Sequence, residues 1–393
     1  KIVNFNEAAY FFQKNQEPLI YTNAGGLQTF AAYTGSATPT NLWCHEALQA
    51  YGRLWIAKTA TDNQVIYWSD LLIGTDFSGG SSGSIDVSKA WPDGHDEIRA
   101  LAAHNNLLIV FGRHSIIVYE GAASPATMAI SDTVAGVGCV CRNSVQHIGT
   151  DVLFLSQSGL RSFGRTITQK SMPINDLSLN IKTEFIQAID SRTGPTASVY
   201  SPENSFYLIT FPDQLTTYCF DLRGLLDNGA YRVTRWPSNS YKCFERKTDG
   251  TLYIGTSNGI GEYKDYSDNG AAYRFRYYSP GLTFGDPSKL KILKKLRPTL
   301  VGANSASVVL YWGYDLTTNY STAEFTVGNQ NPAFYGITEF TVGEFTGGEL
   351  TSRRQINTTG DGTVVTIGLE SDINGFPLSL QEINVLALIG KTL

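Results

Sequence analysis

One phrase in this chain is written twice. The stretch Ala47–Ile56 and the stretch Ala100–Ile109 align without a gap, and Ala47/Ala100, Leu48/Leu101, Ala50/Ala103, Leu54/Leu107 and Ile56/Ile109 are identical pairs. In each copy an apolar strand runs into a short polar turn and an apolar strand returns, which is the pattern of a β-hairpin. Weaker copies follow at Val145–Leu155, Val199–Ile209 and Cys243–Ile254, with Gly149-Thr150-Asp151, Ser201 to Asn204 and Asp249-Gly250 in the turns. The returning strands centre on Trp55, Leu108, Phe154, Leu208 and Tyr253. Each is followed by another turn and strand, so three to four strands recur every ~40–50 residues, the spacing of propeller blades.

Composition agrees with strands and turns. Charged residues are only 17% of the 393, and Gly (38), Tyr (21) and Phe (20) take up the difference. Aromatic residues suit a pleated surface and glycine suits tight turns. The repeat therefore predicts an all-β chain: a β-propeller-like domain of five to six blades over residues 1–270, then a β-sandwich over 271–393. Leu19-Ile20-Tyr21 and Leu27–Phe30 are read either as a sixth blade or as a strand lent to close the ring. After Gly270 the rhythm gives way to longer alternating strands at 273–278, 306–312, 363–369 and 383–389. Residues 321–350 nearly repeat a Glu-Phe-Thr phrase at Glu324, Glu339 and Glu344, and read as an extended loop or arm.

The charge pattern limits function. A net charge of −5 does not provide the basic footprint of a tight nucleic-acid binder. Cys44, Cys139, Cys141, Cys219 and Cys243 are odd in number and scattered, which argues for reduced thiols over a disulfide framework. No apolar run reaches the ~18 residues of a membrane span. The start Lys1-Ile2-Val3 is not a signal peptide and, lacking Met, points to residues upstream.

No chemistry-bearing constellation stands out. His45, His95, His104, His114 and His147 show no metal-ligand spacing, and Cys139/Cys141 lacks the second pair that a structural zinc site needs. No P-loop, dinucleotide fingerprint or nucleophile elbow occurs. Asp96-Glu97 reads as a pair of solvated loop charges. The expectation is a non-enzyme with no cofactor and no metal. Arg99, Arg113, Arg142, Arg161 and Arg165 leave one alternative, a carbohydrate-binding or carbohydrate-cleaving propeller on a phage or bacterial surface. The one basic run places Lys289, Lys291, Lys295 and Arg297 on one face of a strand and Leu290, Ile292 and Leu296 on the other. Those four cations are read as the solvated lysine face of a sandwich strand, which also deters edge pairing, or alternatively as a contact for an acidic neighbouring subunit or DNA phosphate. Residues 321–350 are read either as an ordinary surface excursion or as an inter-subunit arm, with Phe325, Phe340 and Phe345 as its contact residues.

The segment Ala100–Gly121, with Val65–Asp70, Asp76-Phe77-Ser78, Lys294–Pro298 and Tyr311–Asp315, resembles segments of short-tailed phage tail proteins. These are the tail nozzle or tail tubular protein B group and the related packaged-DNA stabilisation proteins. The resemblance spans roughly residues 45–390 and implies no catalytic residues. It implies a homo-oligomeric ring, usually of six copies, below the portal and adaptor in the virion. Such a ring retains the double-stranded genome and conducts it during ejection, with tail fibres as further neighbours. The free subunit is then expected in the host cytoplasm before assembly.

Overall fold

The computed structural model describes residues 1–35, 42–170, 176–237, 241–302, 306–327 and 351–392. They divide into two compact units, Lys1–Tyr263 and Lys264–Leu393.

The first unit is a succession of antiparallel meanders, each strand pairing with the next in sequence. Ile2–Phe5, Ala8–Gln13, Gln16–Thr22 and Gly26–Thr29 make the first sheet, and Cys44–Ala50, Arg53–Thr59, Val65–Trp68 and Gly83–Asp86 the second. The third holds Ala100–His104, Leu107–Phe111, Ile116–Glu120 and Ala129–Val134. Three-stranded sheets at 146–162 and 243–262 flank a four-stranded one at 197–237. The doubled phrase forms equivalent hairpins. Its turns, Tyr51-Gly52 and Asn105-Asn106, all have positive φ (54°, 69°, 46° and 65°). That is the twist-matched turn of a two-residue hairpin.

Burial explains the rhythm. Trp55, Leu108, Phe154 and Leu208, the centres of four returning strands, are wholly buried. Apolar clusters join each sheet to the next. Trp55 and Trp68 of the second sheet meet Leu108 and Tyr119 of the third. Phe111 of the third sheet packs on Phe154 of the fourth at 4.9 Å between ring centroids. The helix Lys182–Ser191 lays Phe185, Ala188 and Ile189 against Tyr207, Phe211 and Phe220. That i, i+3, i+4 spacing is a helical stripe and was not read from the sequence.

The propeller expectation is corrected by this arrangement. The sheets follow one another, but none is closed into a barrel or a propeller. No apolar cluster among the described residues joins the last sheet of the unit to the first. Among the described residues the N-terminal strands lend nothing to a closing sheet and pair only with one another. A sequence repeat reports what each stretch does with its nearest neighbour. Closure depends on contacts between the two ends of the array, which periodicity does not encode.

The second unit holds two antiparallel sheets. Tyr273–Tyr278, Val365–Ile373, Ala306–Tyr314 and Ser321–Val327 form one, in that order. The other is built on the long strand Lys289–Gly302, with Leu378–Thr392 along one edge and the short strands Thr351–Arg353, Ile356–Asn357 and Asp361–Gly362 also pairing with it. Leu293, Leu296 and Leu300 share a core with Val308, Leu310, Trp312, Ile367 and Leu369. The expected β-sandwich is not established as an architecture. What is found is two sheets around one apolar cluster, because alternation dictates which face of a strand is buried but not how whole sheets are layered.

Candidate functional site

The basic strand differs from its sequence reading. Lys294 is an extra residue in Lys289–Gly302, where Leu293 pairs with Ala387 and Lys295 with Leu386. A β-bulge of this kind reverses the in–out alternation beyond it. Lys295 and Arg297 therefore point outward while Lys291, on the other side of the bulge, is wholly buried. The Lys291 Nζ donates to the carbonyl oxygens of Asp286 and Thr363, the latter at 2.7 Å. Lys289 pairs with Asp286 at 3.3 Å. The four cations do not share one face. Leu296 joins the core, and Leu290 and Ile292 lie half-buried.

Lys291 is thus a structural donor. Lys291→Ala, which leaves two partly buried carbonyls without this donor, is expected to cost about 2 kcal/mol of stability. Lys295→Ala and Arg297→Ala are expected to change it by less than about 0.5 kcal/mol. Urea unfolding of the three variants checks the register, and equal effects would refute it.

Of the arm residues, Phe325 lies in the strand Ser321–Val327 and packs, partly buried, on the core of the second unit. Phe340 and Phe345 lie outside the described residues. The histidines His104 and His147 are brought together, with ring centroids 6.4 Å apart. Burial, then the neighbouring His104, lowers the pKa of His147. No group of three or more His, Cys, Asp or Glu able to hold a metal occurs among the described residues. Three of the five arginines of the carbohydrate alternative go to separate partners: Arg161 Nε to Ser158 Oγ at 2.9 Å, Arg165 Nη1 to the Gly229 carbonyl at 3.1 Å, and Arg99 to Glu97.

Asp96 is not the solvated charge expected of it. It is 5% exposed and accepts from the backbone N–H groups of Glu97, Arg113 and His114 at 2.8–2.9 Å and from Ser115 Oγ at 2.7 Å. Burial alone would raise its pKa, but these four bonds outweigh it and hold the carboxyl below its usual value. The turn so clamped, Arg113-His114, lines a concavity of about 280 Å³ with Gly136, Val137, Gly138 and Ser156 to Ser158. Its lining is of mixed polar and apolar character and includes residues of three turns, Arg113 and His114 among them. It holds no nucleophile–base pair: Ser156 bonds to Ser158 Oγ and the Gly159 carbonyl.

A second buried acid has the opposite character. Glu46 is wholly buried in the second sheet, 3.3 Å from Lys1 Nζ, and neither carboxylate oxygen has a well-formed hydrogen bond. Burial raises its pKa, and Lys1 and Arg142 offset this only in part. An acid with a raised folded-state pKa favours folding when protonated, and that contribution is lost as pH rises through the folded value. The stability of Glu46→Gln is therefore expected to gain on the wild type as pH increases from the ordinary carboxylate range toward neutrality. Unfolding midpoints across that range measure it, and a pH-independent difference would sink the assignment. Sequence could not flag Glu46, because a lone Glu in a strand carries no sign of which face it occupies.

Among the described residues no helix is long and apolar enough to cross a membrane. No protein-family model matches the chain, and no curated protein matches it. Solved structures show a distant likeness. PorZ, a bacterial surface component of the type-IX secretion system of Porphyromonas gingivalis, is similar over 67% of this chain and 30% of its own, at 12% identity and a TM-score of 0.38. The Neurospora crassa Pan2 WD40 domain aligns over 67% of this chain and 73% of its own at 8% identity and a TM-score of 0.37. The AfRom2 CNH domain aligns over 66% and 79% at 11% identity and a TM-score of 0.38. This chain spans less than a third of PorZ. At such scores the likenesses transfer neither fold nor function to it.

Proposed function

We propose that this protein is a non-catalytic structural subunit of a short-tailed phage tail, assembling as a ring that retains the genome and conducts it during ejection. The observation that supports this reading is the use made of the resembling segment Ala100–Gly121. Leu108 to Phe111 and Ile116 to Tyr119 are buried, Asn105-Asn106 form the positive-φ turn, and Arg113-His114 are held by Asp96 through their backbone. The segment is spent on scaffold, as a family signature of a load-bearing protein should be. The acidic balance of the chain, −5 overall, suits a conduit past which DNA slides without adhering.

The test is the mass of the purified protein alone and with a portal–adaptor complex, together with negative-stain images of the product. Rings that form or dock on the complex are expected. A monomer that ignores the complex and is retained on a glycan column overturns the reading in favour of carbohydrate recognition.

A further inference from the structure

The sheet of Tyr273–Tyr278, Val365–Ile373, Ala306–Tyr314 and Ser321–Val327 turns one face to the core and gathers three tyrosines on the other. Leu310, Trp312, Ile367 and Leu369 fill the core, so alternation puts Arg276, Tyr278, Gly368, Glu370 and Tyr311 on the opposite face. Register sets these residues in two rows. Tyr278 and Tyr311 flank Gly368, and Arg276 and Val309 flank Glu370. The rings of Tyr278, Tyr311 and Tyr320 meet one another, with centroids 5.9, 5.7 and 6.2 Å apart.

Two glycines let the rings come down onto the sheet. A Cβ at Gly368 would overlap the Tyr278 ring, and one at Gly313 the Tyr320 ring. Each ring therefore leans across main chain where another side chain would stand. Hydrogen bonds fix the arrangement. Tyr278 Oη donates to Glu370 Oε1 at 2.7 Å, and Tyr311 Oη reaches Glu370 Oε2 at 3.5 Å. Arg274 holds that Oε2 through Nη2 at 2.6 Å and Nε at 3.0 Å. Glu370 is only 9% exposed, whereas Tyr278 is 39% exposed. Arg276, 3.6 Å from Glu370, keeps 65% of its side chain in solvent.

The result is an aromatic platform with a polar rim, locked before any ligand arrives, and such preorganisation lowers the ordering cost of binding. Aromatic faces carry a negative quadrupole, which attracts the weakly positive C–H bonds on the apolar face of a pyranose. The hydroxyls at the edge of the sugar need donors and acceptors close by, and Arg276 and the tyrosine hydroxyls stand there. Charge narrows the class. Around Tyr278, Arg274 and Arg276 are balanced by Glu370 and Asp372. Farther out on the edge strand, Glu324 accepts from Ser307 Oγ. This balance suits a neutral ligand over an anion. Duplex DNA offers no ring face to such a platform, because its bases are stacked inside the helix. We propose that this face is a binding site for a neutral glycan, with Tyr278 and Tyr320 stacking on pyranose rings and Arg276 bonding to their hydroxyls. The site lies within the second unit and does not rest on the ring reading above.

The test is affinity electrophoresis of the full chain through native gels containing dextran, mannan, galactan or xylan, with an array of neutral oligosaccharides beside it. Retardation by at least one of these polysaccharides is expected. Tyr278→Ala and Tyr320→Ala should each weaken the binding about tenfold, whereas Tyr278→Phe, which keeps the ring, should weaken it less than about threefold. Saturation-transfer NMR on the unaltered protein gives a reading that needs no variant. Irradiating aromatic resonances should saturate the ring C–H protons of the bound sugar most strongly. Failure of every glycan to bind overturns the proposal, as does binding that survives both alanine substitutions or draws no saturation from aromatic protons. Retention of single-stranded oligothymidylate with no glycan retained overturns it too. Docking to the portal–adaptor complex is followed in the same preparations. Glycan binding without docking upholds this site and overturns the ring reading, and docking without glycan binding does the reverse.

Discussion

Asp96→Ala should lower the stability of the first unit by about 3–4 kcal/mol, the largest loss expected of any single polar side chain here. The carboxylate is buried and accepts four hydrogen bonds, three of them from backbone N–H groups of Glu97, Arg113 and His114. Alanine removes the acceptor from all four donors, of which the Ser115 hydroxyl is fully buried and the three N–H groups partly so. The effect should also depend on pH. The folded-state pKa of Asp96 lies below its usual value, because the hydrogen bonds it accepts outweigh the cost of burial. Its contribution is therefore complete above the unfolded-state carboxylate range and is lost as pH falls through the lower folded value. Wild type and variant should converge in acid, the opposite trend from Glu46→Gln. Trp91, packed beside Gly112 of the same turn, gives a fluorescence signal for the transition. A loss below about 1 kcal/mol at neutral pH would show that the turn is held by something else.

Gly138→Val should cost a similar amount, about 3–4 kcal/mol, by a different mechanism. A Cβ at this position would overlap the carbonyl group of Arg113 and the backbone nitrogen of His114. Those atoms belong to main chain that Asp96 fixes from the other side, so they cannot yield as a flexible side chain would. Cys139 N donates to the Gly112 carbonyl at 2.8 Å immediately beside the overlap, and this bond is expected to break first. The loss should be the same at every pH where the protein is folded, which separates it from that of Asp96→Ala. Thermal unfolding at neutral and acidic pH reads both. A Gly138→Val protein of wild-type stability would mean that the two turns do not approach as closely as described.

Parts of this architecture were legible beforehand, and particular residues show why. The hairpins at 47–56 and 100–109 could be read because each is decided by neighbours in sequence: strand alternation on either side and turn residues that tolerate positive φ. The strands at 273–278 and 306–312 were legible for the same reason. The helix around Phe185 was not, since its short stripe is lost among the aromatic residues of a strand-rich chain. The basic strand misled because one inserted residue, Lys294, reversed the alternation halfway along, so that Lys291 went inward. Asp96 misled because an acid beside a turn looks alike in sequence whether water or backbone amides surround it.

Sequence by itself determined that this chain is all-β, that its first two thirds are serial meanders, and that it carries no recognised catalytic motif. These are local properties, set by periodicity, turn chemistry and residue type. Only the tertiary structure decided that the serial sheets stay unclosed, that Lys291 and Glu46 are interior, and that Asp96 is a backbone clamp. It alone decided that Leu386 and Leu388 face outward and are more than half exposed. Each of these depends on which distant segments meet, and a one-residue bulge or an absent end-to-end contact leaves no periodic trace in the sequence.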